Sequence, residues 1–205
     1  MKYILIANNQ SLIDNKQFID FDLPLEDNDL VILFNKLLPM KWEKIKKHKN
    51  KHLFLRNFNW WFELQKDKNE IIFDRSKIFK DNHKYFNKIY FIDGDGFNNN
   101  KLTESSVQES GVKDFLKSIN FDFQKLEIIS DKISDLKEFT YINKIPTTGF
   151  VAYLWIKYFL AKPEDEIILL GFTGENVWDG HDTDWEKNYY LNDIKNLKKI
   201  KIINE

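Results

Sequence analysis

A single histidine, His181, stands among acidic residues in the stretch His181-Asp-Thr-Asp-Trp-Glu186 and is the only histidine outside the basic first half of the chain. Nearby carboxylates favour a protonated imidazole and can orient its ring. Such a histidine is suited to act as a general base on a hydroxyl group. We take His181 as the candidate base, with Asp184 and Glu186 as the groups that orient or tune it. The alternative is a histidine on a loop surface.

A second stretch, Pro146-Thr147-Thr148-Gly149, is suited to bind an anion. It directly precedes a long apolar stretch that predicts a buried helix over residues 148–160. Threonine can cap a helix N-terminus, and glycine lets the backbone come close to a ligand. The N–H groups and the dipole of a helix start attract negative charge. The alternative is a plain helix cap.

Polar residues also follow three apolar runs that predict buried strands. In an open α/β sheet, ligands bind beyond the carboxyl ends of the strands. An asparagine there can donate its amide to a phosphate and accept from a ribose hydroxyl, although asparagine is also a common turn residue. The candidate ligand-binding residues at these ends are Asn8, Asn9, Ser11, Asn35, Gly171 and Phe172.

The elements that must position these residues alternate along the chain. Short apolar runs predict strands, and apolar residues at helical spacing predict a helix over residues 113–119, in addition to the one over 148–160. Strands alternating with helices predict an α/β fold with a mostly parallel sheet. With 205 residues, we expect one Rossmann-like domain over residues 1–205. The predicted strands are 3–7, 30–34, 51–55, 70–73, 88–92, 127–129, 166–170 and 199–203.

Composition excludes several classes of function. The formal net charge of −1 argues against a nucleic-acid binder, which needs a basic excess. The absence of cysteine excludes disulfides, thiolate nucleophiles and cysteine-based zinc sites. The histidines lack metal-ligand spacing, and we expect no cofactor. No apolar run is long enough to span a membrane or to form a secretory signal, so we expect a cytoplasmic protein.

Two charged segments each have a second interpretation. Asp93-Gly94-Asp95-Gly96 follows a predicted strand, where paired aspartates can hold a divalent metal under a diphosphate. We favour an acidic turn without metal. Basic residues flank Trp42 and Ile45 and form either a solvated face or a contact to an anionic membrane surface. They are Lys41, Lys44, Lys46, Lys47, Lys49 and Lys51.

Taken together, these stretches resemble the sialyltransferases of glycosyltransferase family 29. Motif S of that family begins Pro-Ser-Thr-Gly, continues through an apolar helix, and reaches an acidic strand ending in Gly-Phe. Here Pro146-Thr-Thr-Gly149 precedes the apolar stretch, and a strand follows that ends at Gly171-Phe172. The very short motif of the family is His, four residues, then Glu, as in His181 to Glu186.

The N-terminal match is looser. Asn8, Ser11 and Asn35 are similar to residues of family motif L, and the same segment is similar to the start of the bacterial family-42 sialyltransferases. Ala7 stands where the family has glycine, and Leu33 where arginine is usual. The family's cysteines and its motif III (His-Tyr-Tyr-Glu-like) are absent.

This resemblance implies a sialyltransferase variant of the GT-A-like fold. It implies inverting, metal-independent transfer of sialic acid from CMP-sialic acid to a glycan or glycolipid hydroxyl, with His181 as base. The donor would be bound by Asn8, Asn9, Ser11, Asn35, Thr147, Thr148, Gly149, Gly171 and Phe172. The alternatives are a transferase using CMP-Kdo or another nucleotide sugar, and an inactive nucleotide-binding homologue that has lost motif III. A cytoplasmic enzyme would meet a glycolipid acceptor at the inner membrane face.

Overall fold

The computed structural model describes residues 1–8, 25–35, 37–56, 75–92, 112–140, 144, 146–172, 181–196 and 200–203. Within them, seven strands form one sheet in the order β5-β4-β3-β2-β1-β6-β7, and all six pairings are parallel. The strands are β1 Lys2–Ile6, β2 Leu30–Phe34, β3 Lys51–Arg56, β4 Lys88–Ile92, β5 Leu126–Ile128, β6 Glu166–Leu170 and β7 Ile200–Ile203.

The predicted α/β class with a mostly parallel sheet is confirmed. Seven of the eight predicted strands are present, with ends that differ by one residue at most, and the eighth, 70–73, lies outside the described residues. The sequences of the strands are continuous apolar runs because helices cover both faces of a parallel sheet. Alternate residues of β1 show this, since Ile4 and Ile6 belong to one core, whereas Tyr3 and Leu5 belong to the other.

The strand order places a topological switch point between β1 and β6. From β1 the chain builds outward through β2 to β5, then returns to the other side of β1 for β6 and β7. Ile6 pairs with Leu170, so β1 and β6 end at the same level. Open parallel sheets bind ligands at such a point, beyond the carboxyl ends of the strands.

Six α-helices are described. They are α1 Glu43–Lys47, α2 Arg75–Asn82, α3 Val112–Ser118, α4 Ser130–Ser134, α5 Thr148–Trp155 and α6 Thr183–Asn196. Short 3-10 turns occupy Leu38–Lys41, His83–Tyr85, Phe123–Lys125 and Lys137–Thr140.

From Phe150 onward, the helix α5 packs inside the core. Residues 150–155 are all buried, which explains why this stretch is apolar on every side. The predicted single helix over residues 148–160 is corrected in one respect: α5 continues as a π-helical turn, Ile156–Leu160, in which Ala161 N donates to Ile156 O over 2.8 Å. The chain then leaves the helix before Pro163.

The helix α6 was not among the predicted elements. Its sequence is rich in polar residues, so the average over the helix is polar although one narrow face is apolar. That face consists of Trp185, Tyr189, Tyr190 and Ile194, all of which pack against the core on the α5 side of the sheet. Asp182 precedes the helix, and its Oδ1 accepts from Trp185 N over 3.2 Å, as expected of an N-cap.

The lysines of the lysine-rich segment are exposed, with one exception. Lys41, Lys44, Lys46, Lys47 and Lys49 are exposed, whereas Trp42 and Ile45 are buried in the core. Lys51 does not belong to this surface, because it is buried at the start of β3 and donates to the carbonyls of Lys46 and His48. None of the described helices combines the length and the apolar composition that a membrane span requires.

Candidate functional site

Four elements of the fold converge on residues 146–149, which we call the α5 turn. These elements are the ends of β2, β3 and β6, together with the first turns of α6. Each successive residue of the α5 turn contacts a different one of them. The turn therefore lies at the carboxyl edge of the sheet, where the switch point predicts a ligand site.

The contact from α6 is made by Glu186, whose carboxylate binds Thr147 with both oxygens. Thr147 N donates to Oε1 over 2.6 Å, and the Thr147 hydroxyl donates to Oε2 over 2.7 Å. The same hydroxyl oxygen accepts from Phe150 N over 3.1 Å and so caps α5. Glu186 therefore joins the two stretches that the sequence marks for anion binding and for base catalysis.

The contacts from β2 and β3 fix the two residues on either side of Thr147. Arg56, the last residue of β3, donates from its buried guanidinium to the carbonyl of Pro146. Asn35, which follows β2, donates to the Thr148 hydroxyl over 3.1 Å and accepts from Arg56 N over 3.0 Å. Asn35 thereby links both strand ends to the start of α5.

The contact from β6 explains why residue 149 is glycine. A Cβ atom at Gly149 would lie 2.8 Å from Cε1 of Phe172, which is closer than van der Waals contact allows. The Phe172 ring is held in place by Phe34 and Tyr190, with ring centroids 6.1 and 5.8 Å away. The group that approaches the Gly149 Cα in the structure is the Phe172 ring, and binding of a donor by the Gly149 backbone remains a prediction.

The chain turns sharply between β6 and Phe172. Gly171 has φ of 76°, in the left-handed region that residues with a side chain rarely adopt. This conformation directs the next residue back over the α5 turn. Gly171 therefore has a backbone role in placing Phe172.

Glu186 is an unusual acid because it is only 4% exposed. The pKa of Glu186 is raised from an ordinary value near 4.5 to about 7, mainly by burial and to a smaller extent by the negative charge of Asp182. The hydrogen bonds from Thr147 and the positive charge of Arg56 oppose this rise. Near neutral pH the carboxyl group therefore exists in both protonation states.

The far half of α6 is also bound to α5. Asp193 accepts from the Tyr153 hydroxyl over 2.6 Å and forms a 2.7 Å ion pair with Lys157. Lys157 also donates to the Tyr189 hydroxyl over 3.0 Å. With Glu186 at one end and Asp193 at the other, α6 is fixed along its length against α5.

His181 immediately precedes the cap of α6 and is partly buried. Asp184 is exposed on the first turn of the helix. Because both oxygens of Glu186 bind Thr147, the described contacts of Glu186 serve the α5 turn. The roles of His181 as base and of Asp184 and Glu186 in tuning it remain predictions.

Asn8 connects two strand ends. Its amide nitrogen donates to Phe34 O over 2.8 Å, and its amide oxygen accepts from Leu38 N over 3.1 Å. These contacts correspond to the structural role of asparagine at a turn, and binding of a donor by Asn8 remains a prediction.

Other predicted site residues lie outside the described part of the chain. They are Asn9 and Ser11 among the donor-binding candidates, and Asp93 and Asp95 of the acidic turn. Within the described residues, no group of three or more His, Asp or Glu residues could hold a metal ion.

Arg56 is the residue of this site that the sequence analysis missed. With only two arginines in the chain, no cluster of them draws attention to the position. The available signal is its place as the last residue of a predicted strand, next to a ligand-binding edge. Burial of an arginine without a partner costs free energy, so an arginine that ends a buried strand is expected to bind an acceptor.

Comparison of the chain with protein-family models, with curated proteins and with solved structures returns no match.

We expect Gly149→Ala to destabilise the protein by roughly 1–3 kcal/mol, because the added methyl group must displace the Phe172 ring. Phe172→Leu in the same chain should recover part of this loss by removing the clashing ring atoms. Chemical denaturation of the two single variants and the double variant measures the coupling. Additive effects would show that Phe172 does not exclude a side chain at position 149.

We expect the free energy of unfolding of the wild-type protein, measured relative to that of Glu186→Gln, to rise by roughly 2 kcal/mol as the pH falls from about 8 to about 5. The reason is that the folded chain takes up a proton at Glu186 in this range, whereas the unfolded chain, with its lower pKa, does not. Urea unfolding at several pH values measures the difference, and the exposed Glu164→Gln is the matched control. A difference that does not change with pH would contradict the raised pKa.

Proposed function

We propose that this protein is a glycosyltransferase that uses a CMP-activated acidic sugar, with CMP-sialic acid as the first candidate donor. The observation that carries the proposal is the pair of hydrogen bonds between Glu186 and Thr147. They unite, at the switch point of a parallel sheet, the two stretches that resemble motif S and the very short motif of the sialyltransferases. The finer fold assignment, a sialyltransferase variant of the GT-A-like fold, is part of this proposal.

The start of α5 is suited to hold the anionic part of such a donor. The N–H groups of Thr148 and Gly149 belong to the first turn of a helix, where the helix itself supplies no acceptor. Together with the helix dipole, they would stabilise the negative charge that develops on a departing nucleoside monophosphate. Phe172 beside this turn offers an aromatic surface to the donor.

His181 would act as the general base. In an inverting transfer, the acceptor hydroxyl attacks the anomeric carbon as the bond to the phosphate oxygen breaks, and the base takes the hydroxyl proton. Its place just before α6, which is attached to the α5 turn through Glu186, keeps the base and the anion site in a fixed relation. The glycan or glycolipid acceptor would enter on the His181 side.

Two alternatives are separated by measurement. CMP-Kdo or another nucleotide sugar would use the same arrangement with a different donor. The lack of motif III is the observation in support of a nucleotide-binding homologue without turnover, because His181 is the only described histidine that follows the α5 turn.

Contact of the exposed lysines Lys41 to Lys49 with an anionic membrane would bring the protein to a glycolipid acceptor at the cytoplasmic face.

We expect CMP to raise the melting temperature and UDP to raise it less, since the proposed site takes a cytidine monophosphate. At a hundredfold excess over Kd, binding should stabilise the protein by about 2.7 kcal/mol. Differential scanning fluorimetry with CMP, UMP, UDP and GDP makes the comparison. The donor assignment is wrong if no cytidine nucleotide shifts the melting temperature.

We expect His181→Ala to lower kcat by about 10²- to 10⁴-fold and to leave Kd for CMP nearly unchanged, because a base contacts the acceptor and not the nucleotide. Asn188→Ala, an exposed substitution on the same helix, is the control for folding. Release of CMP from CMP-sialic acid in the presence of a glycan acceptor gives the rate. Wild-type turnover by His181→Ala would remove His181 from the mechanism, whereas CMP binding without turnover by the wild-type protein would support the non-catalytic alternative.

A further inference from the structure

The Thr147 hydroxyl lies in the middle of a chain of hydrogen bonds, and this hydroxyl has only one hydrogen to donate. Its oxygen accepts from Phe150 N over 3.1 Å, and its hydrogen is donated to Oε2 of Glu186 over 2.7 Å. The other carboxylate oxygen accepts from Thr147 N. While Glu186 is ionised, both donors of Thr147 are therefore directed at this carboxylate.

Protonation of Glu186 reverses the direction of one of these bonds. A proton on Oε2 would be donated to the Thr147 oxygen, which can still accept from Phe150 N, because a hydroxyl oxygen has two lone pairs. The Thr147 hydrogen would then turn away from Glu186 and become available to another acceptor. The change requires one proton from solvent and no movement of the backbone.

The groups around Glu186 allow it to change its protonation state near neutral pH. Burial and Asp182 at the start of α6 favour the protonated form, whereas the hydrogen bonds from Thr147 and the charge of Arg56 favour the ionised carboxylate. Together they give a pKa of about 7. Tyr190, which faces Glu186 from the next turn of α6, has its own pKa raised well above the usual value and stays neutral. The α5 side contributes Thr147, which does not titrate.

An anion at the α5 turn would shift the balance further. A negative charge beside the first N–H groups of α5 would repel the ionised Glu186 carboxylate that binds the same turn, and like charges favour the protonated form of an acid. The ligand would thus favour the state in which the Thr147 hydroxyl can donate to it.

We propose that an anionic ligand group binds at the α5 turn together with one proton, which Glu186 takes up, and that the Thr147 hydroxyl then donates to that ligand. This inference rests on the proposed function, since it takes the phosphate of a cytidine nucleotide as the anion. Ligand affinity at this site is therefore regulated by pH through Glu186.

The test uses the methyl ester of CMP, a phosphodiester whose charge does not change near neutral pH. We expect its affinity for the wild-type protein to fall more than threefold as the pH rises from about 7.5 to about 8.5. Isothermal titration calorimetry in two buffers of different ionisation enthalpy, at about pH 7.5, should show the uptake of a fraction approaching one proton.

Matched variants assign the proton. Glu186→Gln imitates the protonated acid, because its amide can donate to the Thr147 oxygen, so it should bind the ester with little dependence on pH and without proton uptake. Thr147→Ser keeps the hydroxyl and should retain the dependence. His181→Gln removes the imidazole that precedes α6 and should also retain it. Glu164→Gln should behave as the wild-type protein.

The outcomes separate this inference from the function on which it rests. Failure of the ester and of CMP to bind at any pH would overturn the proposed function. Binding without pH dependence, or a dependence that survives in Glu186→Gln or disappears in His181→Gln, would overturn the proton coupling alone. If Glu186→Gln does not fold, proton uptake by His181→Gln decides: close to one proton supports the inference, and none overturns it.

Discussion

The buried contact between Glu186 and Thr147 is the interaction on which the candidate site depends. A carboxylate that is 4% exposed is tolerated only where donors satisfy it, and here an amide and a hydroxyl of one threonine do so. The contact fixes the first turns of α6 against the start of α5. It also brings His181, which precedes α6, to the carboxyl edge of the sheet.

The other contacts of the α5 turn follow from the parallel sheet. Because the strands run in one direction and end at similar levels, the residues after β2, at the end of β3 and after β6 reach the same short segment. Asn35, Arg56 and Phe172 each hold one residue of it. A segment held from several sides needs little reorganisation when a ligand binds, which favours affinity.

The start of α5 differs from an ordinary helix N-terminus whose N–H groups are all available to an anion. Part of the anion-binding capacity of α5 is already used by the protein's own carboxylate. The proposed anionic ligand would therefore bind beside Glu186 and its charge, and a carboxyl group with a pKa of about 7 can lose that charge at little cost. Arg56 moderates the same balance from the opposite side.

Local patterns in the sequence predict the strands, the buried helix α5 and the two stretches proposed to carry the chemistry, because strands covered on both faces and helices inside a core leave uninterrupted apolar runs. They also mark Thr147 as a cap, since capping is local. The sequence did not indicate α6, whose apolar face is narrow, or Arg56, which stands alone. Only in the folded chain is it evident that Glu186 binds Thr147, that Phe172 covers Gly149 and that Lys51 is buried. These contacts join residues far apart in the chain, and they depend on the strand order and register, which no local pattern specifies.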